Sequence, residues 1–303
     1  GYAGGSAESA TLGWLRDSQA KILAAIAQRW PEFAAVAGHG EPIETTGDPR
    51  VDDALRALRN PDRDVRQRAA VDLGTVAAPA AATELVARLW TEPDFFVRDT
   101  LTWAVTRVAD AATPLLQDAL TGAAATRTQA LHVLSKIKDP ATAAAVVPLA
   151  ADDDPAVAAK ARWVLARIGD PRTVPALAAH LGTGDATVRN ALTRDLASFG
   201  RAAVPCLVAA LAGDDVPVRR HAAEVLCRLG AAADSATGAL GEALQDADDQ
   251  VRLSAAMALY GLDTAEALAI LTGDAVGDDP RIRAIVRRVM AGSGSGVESG
   301  ADS

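Results

Sequence analysis

Residues 185–200 read Asp185-Ala-Thr-Val188-Arg189-Asn-Ala-Leu192-Thr-Arg194-Asp-Leu196-Ala-Ser-Phe199-Gly200, and the fold is decided by how often this stretch returns. Residues 215–230 repeat it as Asp215-Val-Pro-Val218-Arg219-Arg-His-Ala222-Ala-Glu224-Val-Leu226-Cys-Arg228-Leu229-Gly230. Its central pair recurs at Val65-Arg66, Val97-Arg98, Thr126-Arg127, Val157-Ala158, Val251-Arg252 and Ile282-Arg283. From Val65 to Ile282 is 217 residues in seven steps, 31 residues per step. A fixed period of this size signals a solenoid, whose units bury their apolar faces only against their neighbours.

Each unit reads as two short helices, with no competing strand pattern. The first is rich in Ala and Leu (Val174 to Leu181, Val204 to Leu211), and the second opens with the Asp-x-x-Val-Arg motif. Counting the motif Val as zero, apolar residues fall at offsets 0, 4, 8 and 11, as in Val188, Leu192, Leu196 and Phe199, which is one helical stripe. Alanine at offset 4 (Ala69, Ala130, Ala161, Ala222, Ala255) lets neighbouring helices approach closely. The motif Asp at 62, 94, 154, 185, 215, 248 and 279 is expected to cap the second helix. Asp48-Pro49, Asp139-Pro140 and Asp170-Pro171 are expected to open first helices in the same way. Gly74, Gly169, Gly200 and Gly230 are read as helix ends.

The five-letter motif, complete at Asp62–Arg66, Asp94–Arg98, Asp185–Arg189, Asp215–Arg219 and Asp248–Arg252 and with Ile for Val at Asp279–Arg283, resembles the HEAT-repeat superfamily. It is most similar to the short bacterial HEAT-like repeat first named for phycobilin lyases. That resemblance covers roughly residues 48 to 290 and implies an all-α fold, a right-handed α-α superhelix of about eight helical hairpins. It also implies that the second helices line a concave inner face. Repeats of this kind occur in bilin lyases, metalloenzymes, DNA glycosylases and scaffolds, so the resemblance states shape more firmly than function.

The array is expected over 48–290, with an N-terminal helical cap at 1–47 and a flexible tail at 291–303. In the first segment Leu12, Leu15, Ile22, Leu23, Ile26 and Trp30 approach one helical face, suited to covering the open edge of the first repeat. A net charge of -9 argues against a surface that coats nucleic acid with its whole length. Two cysteines, Cys206 and Cys227, are too few for a disulfide framework and read as buried free thiols. No apolar run reaches the roughly 20 residues of a spanning helix, and a cytoplasmic location is the default expectation.

Candidate function lies off the motif. Offset 6 points away from the stripe and carries Trp103, His132, Trp163, Arg194 and Glu224, while offset 10 carries Arg107, Lys136, Arg167 and Arg228. Together these residues form an expected aromatic and basic trough, suited to a protein or peptide partner offering acidic and apolar groups. The tryptophans also admit a packing role between repeats. Repeats three and four break the motif at Ala123, Thr126 and Ala158, and they carry His132 and Trp163.

No nucleophile, Walker or His-Glu-x-x-His motif is present, and His39, His180 and His221 have no ligand spacing with His132. No metal and no cofactor is expected. The reading is therefore a non-catalytic binding solenoid. Its alternative is an enzyme or accessory subunit that uses the trough on a flat anionic ligand or nucleobase, in the manner of a DNA glycosylase or lyase, with Asp99 as acid or base.

Overall fold

The computed structural model describes residues 45–273, 277 and 279–294. The expected cap at 1–47 lies almost entirely outside the described residues, as does the tail from 295 onward. All regular structure among the described residues is helical.

The chain divides into two compact units, one ending at Leu115 and one beginning at Leu116. In unit 1, α1 (Pro49–Ala57) pairs with α2 (Arg63–Val76), α3 (Ala82–Thr91) pairs with α4 (Phe95–Arg107), and α4 stacks on α2. The boundary falls within α5 (Ala109–Ala119), which precedes α6 (Ala124–Ile137). Unit 2 continues with α7 (Ala143–Val146) and α8 (Pro155–Ile168), then α9 (Val174–Ala178) and α10 (Ala186–Ala197). It closes with α11 (Val204–Leu211) and α12 (Val216–Leu229), α13 (Thr237–Ala243) and α14 (Asp249–Leu262), and α15 (Ala265–Thr272) and α16 (Pro280–Gly294). The second helices α6, α8, α10, α12, α14 and α16 stack in chain order.

The core of each unit is the middle of the expected stripe, offsets 4 and 8. At its ends Val65 and Val76 are exposed, and Val188, Phe199, Val218 and Leu229 are half-buried, because offsets 0 and 11 fall at the two ends of the second helix. At offset 4, Ala69, Leu101, Ala130, Ala161, Leu192, Ala222 and Ala255 are buried, and at offset 8 so are Leu73, Val105, Leu134, Leu165, Leu196, Leu226 and Leu259. The expected caps form as well. Asp94 accepts from the Phe96 and Val97 N–H groups, Asp154 from Ala156 and Val157, and Asp248 from Gln250 and Val251. Asp48, Asp139 and Asp170 accept from Arg50, Ala141 and Arg172, although at Asp139 and Asp170 the element that opens is a short 3-10 turn.

Three local expectations differ from the structure. Helix α9 stops at Ala178, because the chain tightens there into i to i−3 bonds from His180 to Leu177 and from Leu181 to Ala178. Helix α16 runs on to Gly294, past the expected end of the array. Gly74 ends no helix. It lies inside α2, where a Cβ would run into the Trp103 ring, and the left-handed position belongs to Ala77 at φ 53°.

Candidate functional site

The motif Arg is a structural residue in the described repeats. Arg98 donates to the carbonyls of Glu92 and Pro93, Arg189 to Gly184, and Arg252 to Asp246 and Ala247. In this way a charged side chain satisfies the carbonyls left free as the chain turns into the second helix. Three motif arginines also reach a carboxylate in the turn of the following repeat: Arg66 to Glu92, Arg127 to Asp152 and Arg219 to Asp246. The Arg66–Glu92 pair is buried and bidentate, at 2.8 and 2.9 Å, with Arg88 adding a third guanidinium contact at 2.7 Å. Although burial works to raise it, the Glu92 carboxyl is held down at about 2 by Arg66, the Asp94 N–H and Arg88.

Repeat four keeps this function by another route. Its motif position is Ala158, and Arg162, one turn later, sends Nη1 to the Ala150 carbonyl at 2.7 Å. The broken motif is therefore partly a relocated contact. In repeat three, Ala123 gives α6 no side-chain cap, while Arg127 keeps its bonds to the Gly122 carbonyl and Asp152.

The outward face follows the offset geometry. At offset 10, Arg107, Lys136, Arg167 and Arg228 are all exposed. At offset 6, Trp103, Arg194 and Glu224 are exposed, whereas His132 and Trp163 are half-buried. Sequence reasoning had placed the two indoles alike, and the structure separates them. In unit 1, the Trp103 ring lies against the backbone of Gly74 on α2 yet remains 42% exposed, so it packs between helices on one side and meets solvent on the other. In unit 2, Lys160 Nζ stands 4.0 Å from the centre of the Trp163 ring and the Arg167 guanidinium 5.6 Å from it. The three residues succeed one another at offsets 3, 6 and 10 on one face of α8.

Lys160 stands at offset 3, outside the expected trough, although three of the four lysines, Lys136, Lys138 and Lys160, fall in repeats three and four and its place three residues before Trp163 makes it a helical neighbour. Burial lowers its ammonium pKa, and the charge of Lys136 on the neighbouring helix lowers it further, so α6 and α8 bring two lysines into mutual repulsion. No carboxylate lies within ion-pair distance of Lys136, Lys160, Arg167 or Arg228 among the described residues. Asp99, the alternative acid or base, is exposed on α4 in unit 1. Asp195 is the perturbed carboxylate: it is half-buried on α10, and burial pushes it up to about 6 against the attraction of Arg194 and Arg162.

Cys206 and Cys227 are free thiols, each half-buried, and burial raises that of Cys227. Among the described residues no group of three or more His, Cys, Asp or Glu side chains could hold a metal ion, and no helix is long and apolar enough to cross a membrane.

The family model for HEAT repeats matches residues 112–197, 145–227 and 204–291, which together span more than half of the chain. The chain is a HEAT-repeat protein. No match was found among the curated proteins. Several solved structures are similar at low identity. Human deoxyhypusine hydroxylase in complex with glycerol is 21% identical, with 80% of this chain and 94% of that one covered and a TM-score of 0.35. The complex of CpcE and CpcF of phycocyanin lyase from Nostoc sp. PCC7120 is 22% identical over 82% of this chain and 98% of that one, at a TM-score of 0.37. The karyopherin Kap121p bound to the extreme C-terminus of the phosphatase Cdc14p is 17% identical over 91% of this chain and 36% of that one, at a TM-score of 0.47. The HEAT-repeat chain thus spans about a third of the karyopherin's length.

The HEAT assignment explains why the motif reveals so little function: its Asp and Arg serve the turns. What differs among repeats lies at offsets 3, 6 and 10.

Proposed function

We propose that unit 2 is a non-catalytic scaffold that holds a protein or peptide partner on the outward face of its second helices, through acidic and apolar groups of that partner. HEAT-repeat solenoids commonly act as protein-interaction scaffolds, and this reading gives that general role a place. One observation carries it: Lys160 and Arg167 stand over a half-buried indole, the Lys136 charge acts on Lys160, and none of the three has a carboxylate in ion-pair reach among the described residues, in a chain of net charge -9. Unpaired cations held close together are costly alone and are relieved by a partner's carboxylates through charge-assisted hydrogen bonds. Arg194, Glu224 and Arg228 extend the face along the following repeats, and His132 flanks it on α6. In unit 1, Trp103 and Arg107 offer a comparable aromatic and cationic pair on α4.

For the enzymatic alternative, which needs an indole face free to stack a flat ligand, Trp163 is the poorer of the two indoles, since Lys160 stands over its ring at 4.0 Å. The binding reading is tested by panning a random peptide library against the intact chain and against the Lys160→Ala/Arg167→Ala variant. Enrichment of sequences that combine Asp or Glu with apolar residues, lost in the variant at unchanged melting temperature, is the expected result. Enrichment without acidic residues, or equal enrichment by the variant, overturns it.

A further inference from the structure

At offset 3 of α12, His221 is buried, 1% exposed, whereas the other repeats carry exposed or half-buried side chains there, such as Arg68, Thr100, Lys160 and Ser254. Both of its ring nitrogens are committed. The Gly182 N–H, in the turn after α9, donates to Nδ1 at 3.0 Å. Nε2 lies 2.9 Å from Thr193 Oγ1 and 3.1 Å from the Arg189 carbonyl, both on α10. A backbone N–H only donates and a carbonyl only accepts, so Nδ1 holds a lone pair and Nε2 the proton. The Thr193 hydroxyl gives its own proton to the Arg189 carbonyl at 2.9 Å, which leaves its oxygen able to accept from Nε2. The ring is thereby fixed as one neutral tautomer.

These bonds span two repeats. His221 belongs to the sixth, and its three partners belong to the fifth, whose helix α10 stacks on α12. Gly182 has a φ of 75°, and a Cβ there would stand 2.8 Å from the Pro217 carbonyl carbon and 2.9 Å from the Val218 nitrogen. The turn therefore lies directly on the first turn of α12. A proton on Nδ1 would set two N–H groups against each other in that space, and the turn has no room to make way without leaving α12.

Among the described residues no carboxylate is paired with the ring. Arg189 sends Nη1 to the Gly184 carbonyl and repels a second cation, and burial opposes the charged ring more strongly still. His180, two residues before Gly182, has its pKa lowered by burial and by Arg162. Further along α10, Arg194 is exposed, and burial raises the half-buried Asp195 carboxyl to about 6. On α12 itself, Arg219 is paired with Asp246 and Arg220 with Asp248, while Glu224 and Arg228 are exposed. Helix α11 carries no charge, and in the turn after α12 Asp234 is paired with Arg201. On α14, Asp249 is paired with Arg281, and Arg252 is bonded to carbonyls.

We propose that His221 is an acid-released pin between the fifth and sixth repeats. With the ring neutral, it ties the turn after α9 and helix α10 to α12, as in this structure. When Nδ1 takes a proton from solvent, the Gly182 N–H loses its acceptor, the turn lifts from α12 and the charged ring reaches water. Arg194 lies on α10, and Glu224 and Arg228 lie on α12, so the joint opens between residues of the proposed binding face. The pin rests on its own bonds and acts whether or not that face binds a partner.

The test reads the protection of the Gly182 amide by hydrogen exchange in the full chain from about pH 7.5 to about pH 5, relative to the intrinsic exchange rate. A ring released to water titrates near 6.5, so below that value each pH unit favours the open form by up to about tenfold, and protection is expected to fall accordingly. His221→Asn carries an acceptor oxygen near the Nδ1 position and does not titrate, so its Gly182 protection should stay level. His180→Gln should keep the fall, which separates the two histidines. Level protection in the wild type, or an equal fall in His221→Asn, overturns the pin. Should the Asn variant fail to fold, nitrogen NMR of the wild-type ring decides. A bare Nδ1 and a protonated Nε2 at neutral pH, with a midpoint below 6.5, are expected, and the opposite tautomer or a midpoint at or above 6.5 overturns the proposal. Unfolding carries the same sign. A histidine lowered in the folded state contributes stability that is full above about 6.5 and is lost as pH falls below it, so the wild type should lose stability relative to His221→Asn over that range.

Discussion

The turns between paired helices and the outward face of the second helices use the same cations in opposite ways. At the turns, Arg66 is buried between Glu92 and two backbone carbonyls, and Arg219 is held by Asp246 and by the Gly213 and Asp214 carbonyls. On the outward face, Lys136, Arg167 and Arg228 are exposed with no carboxylate in ion-pair reach among the described residues. An arginine in a repeat therefore cannot be read by its type alone. Its offset decides whether it stiffens the lattice or meets a partner, and the recurring letters of the motif mark the first case.

The contrast breaks most sharply at Glu92. Its carboxylate serves Arg66, Arg88 and the Asp94 N–H, so Glu92→Ala strands a buried guanidinium and should cost about 3–5 kcal/mol of stability in urea unfolding. The same pair fixes an acid limb. The Glu92 carboxyl is depressed to about 2, so its contribution is present above about 4.5 and is lost as pH falls toward about 2. Unfolding midpoints that stay level from pH 5 to pH 2, or that fall as steeply in Glu92→Ala as in the wild type, would put this pair among the energetically minor ones.

The next effect separates the two indoles. Gly74→Ala should stabilise an exposed helix by about 1 kcal/mol through propensity. Here the new methyl group meets the Trp103 ring, and the net loss should be about 1–3 kcal/mol. Combining it with Trp103→Ala should recover most of that loss, giving a coupling that a double-mutant cycle measures. Additive losses would mean that Trp103 does not pack on α2 in solution.

Smaller still is the cap contrast between adjacent repeats. Asp154 caps α8 with two bonds, whereas Ala123 leaves α6 without a side-chain cap. Asp154→Ala should cost about 1 kcal/mol, and Ala123→Asp should gain a similar amount, each read from thermal unfolding.

How much of this was legible in the chain itself depends on whether neighbours repeat. The helical hairpins, the Asp caps and the buried stripe follow from periodicity, because a residue that recurs every 31 positions meets the same surroundings each time. The end of α9 and the burial of Gly74 did not follow, since each depends on one particular contact: a tightened turn at His180, and the size of Trp103 one repeat later. The partners of the motif arginines lie 25 to 27 residues ahead, at Glu92, Asp152 and Asp246, and no local rule connects them. Of the site, the exposed cations were readable from offset 10. The partial burial of Asp195 depends on helix-to-helix packing, and the stance of Lys160 over Trp163 on the rotamers the two side chains take within α8.

The weakest stability effect carries the functional side of the comparison. Lys160 and Arg167 each approach Trp163, and an exposed cation on an indole contributes about 0.5–1 kcal/mol, part of which is offset by relief of the repulsion between Lys160 and Lys136. Removing both side chains should therefore move the unfolding free energy by less than about 1 kcal/mol. Binding of an acidic peptide selected on the wild type should fall much further, by about tenfold or more for each charge-assisted bond lost, which fluorescence anisotropy reports directly. Salt separates this from a packing effect. Contacts between exposed charges weaken as the screening length shrinks from about 10 Å at 0.1 M to about 3 Å at 1 M, so wild-type affinity should drop with added salt while the double variant stays nearly flat. A double variant that keeps both the affinity and its salt dependence would return Trp163 and its two cations to the lattice, beside the arginines of the turns.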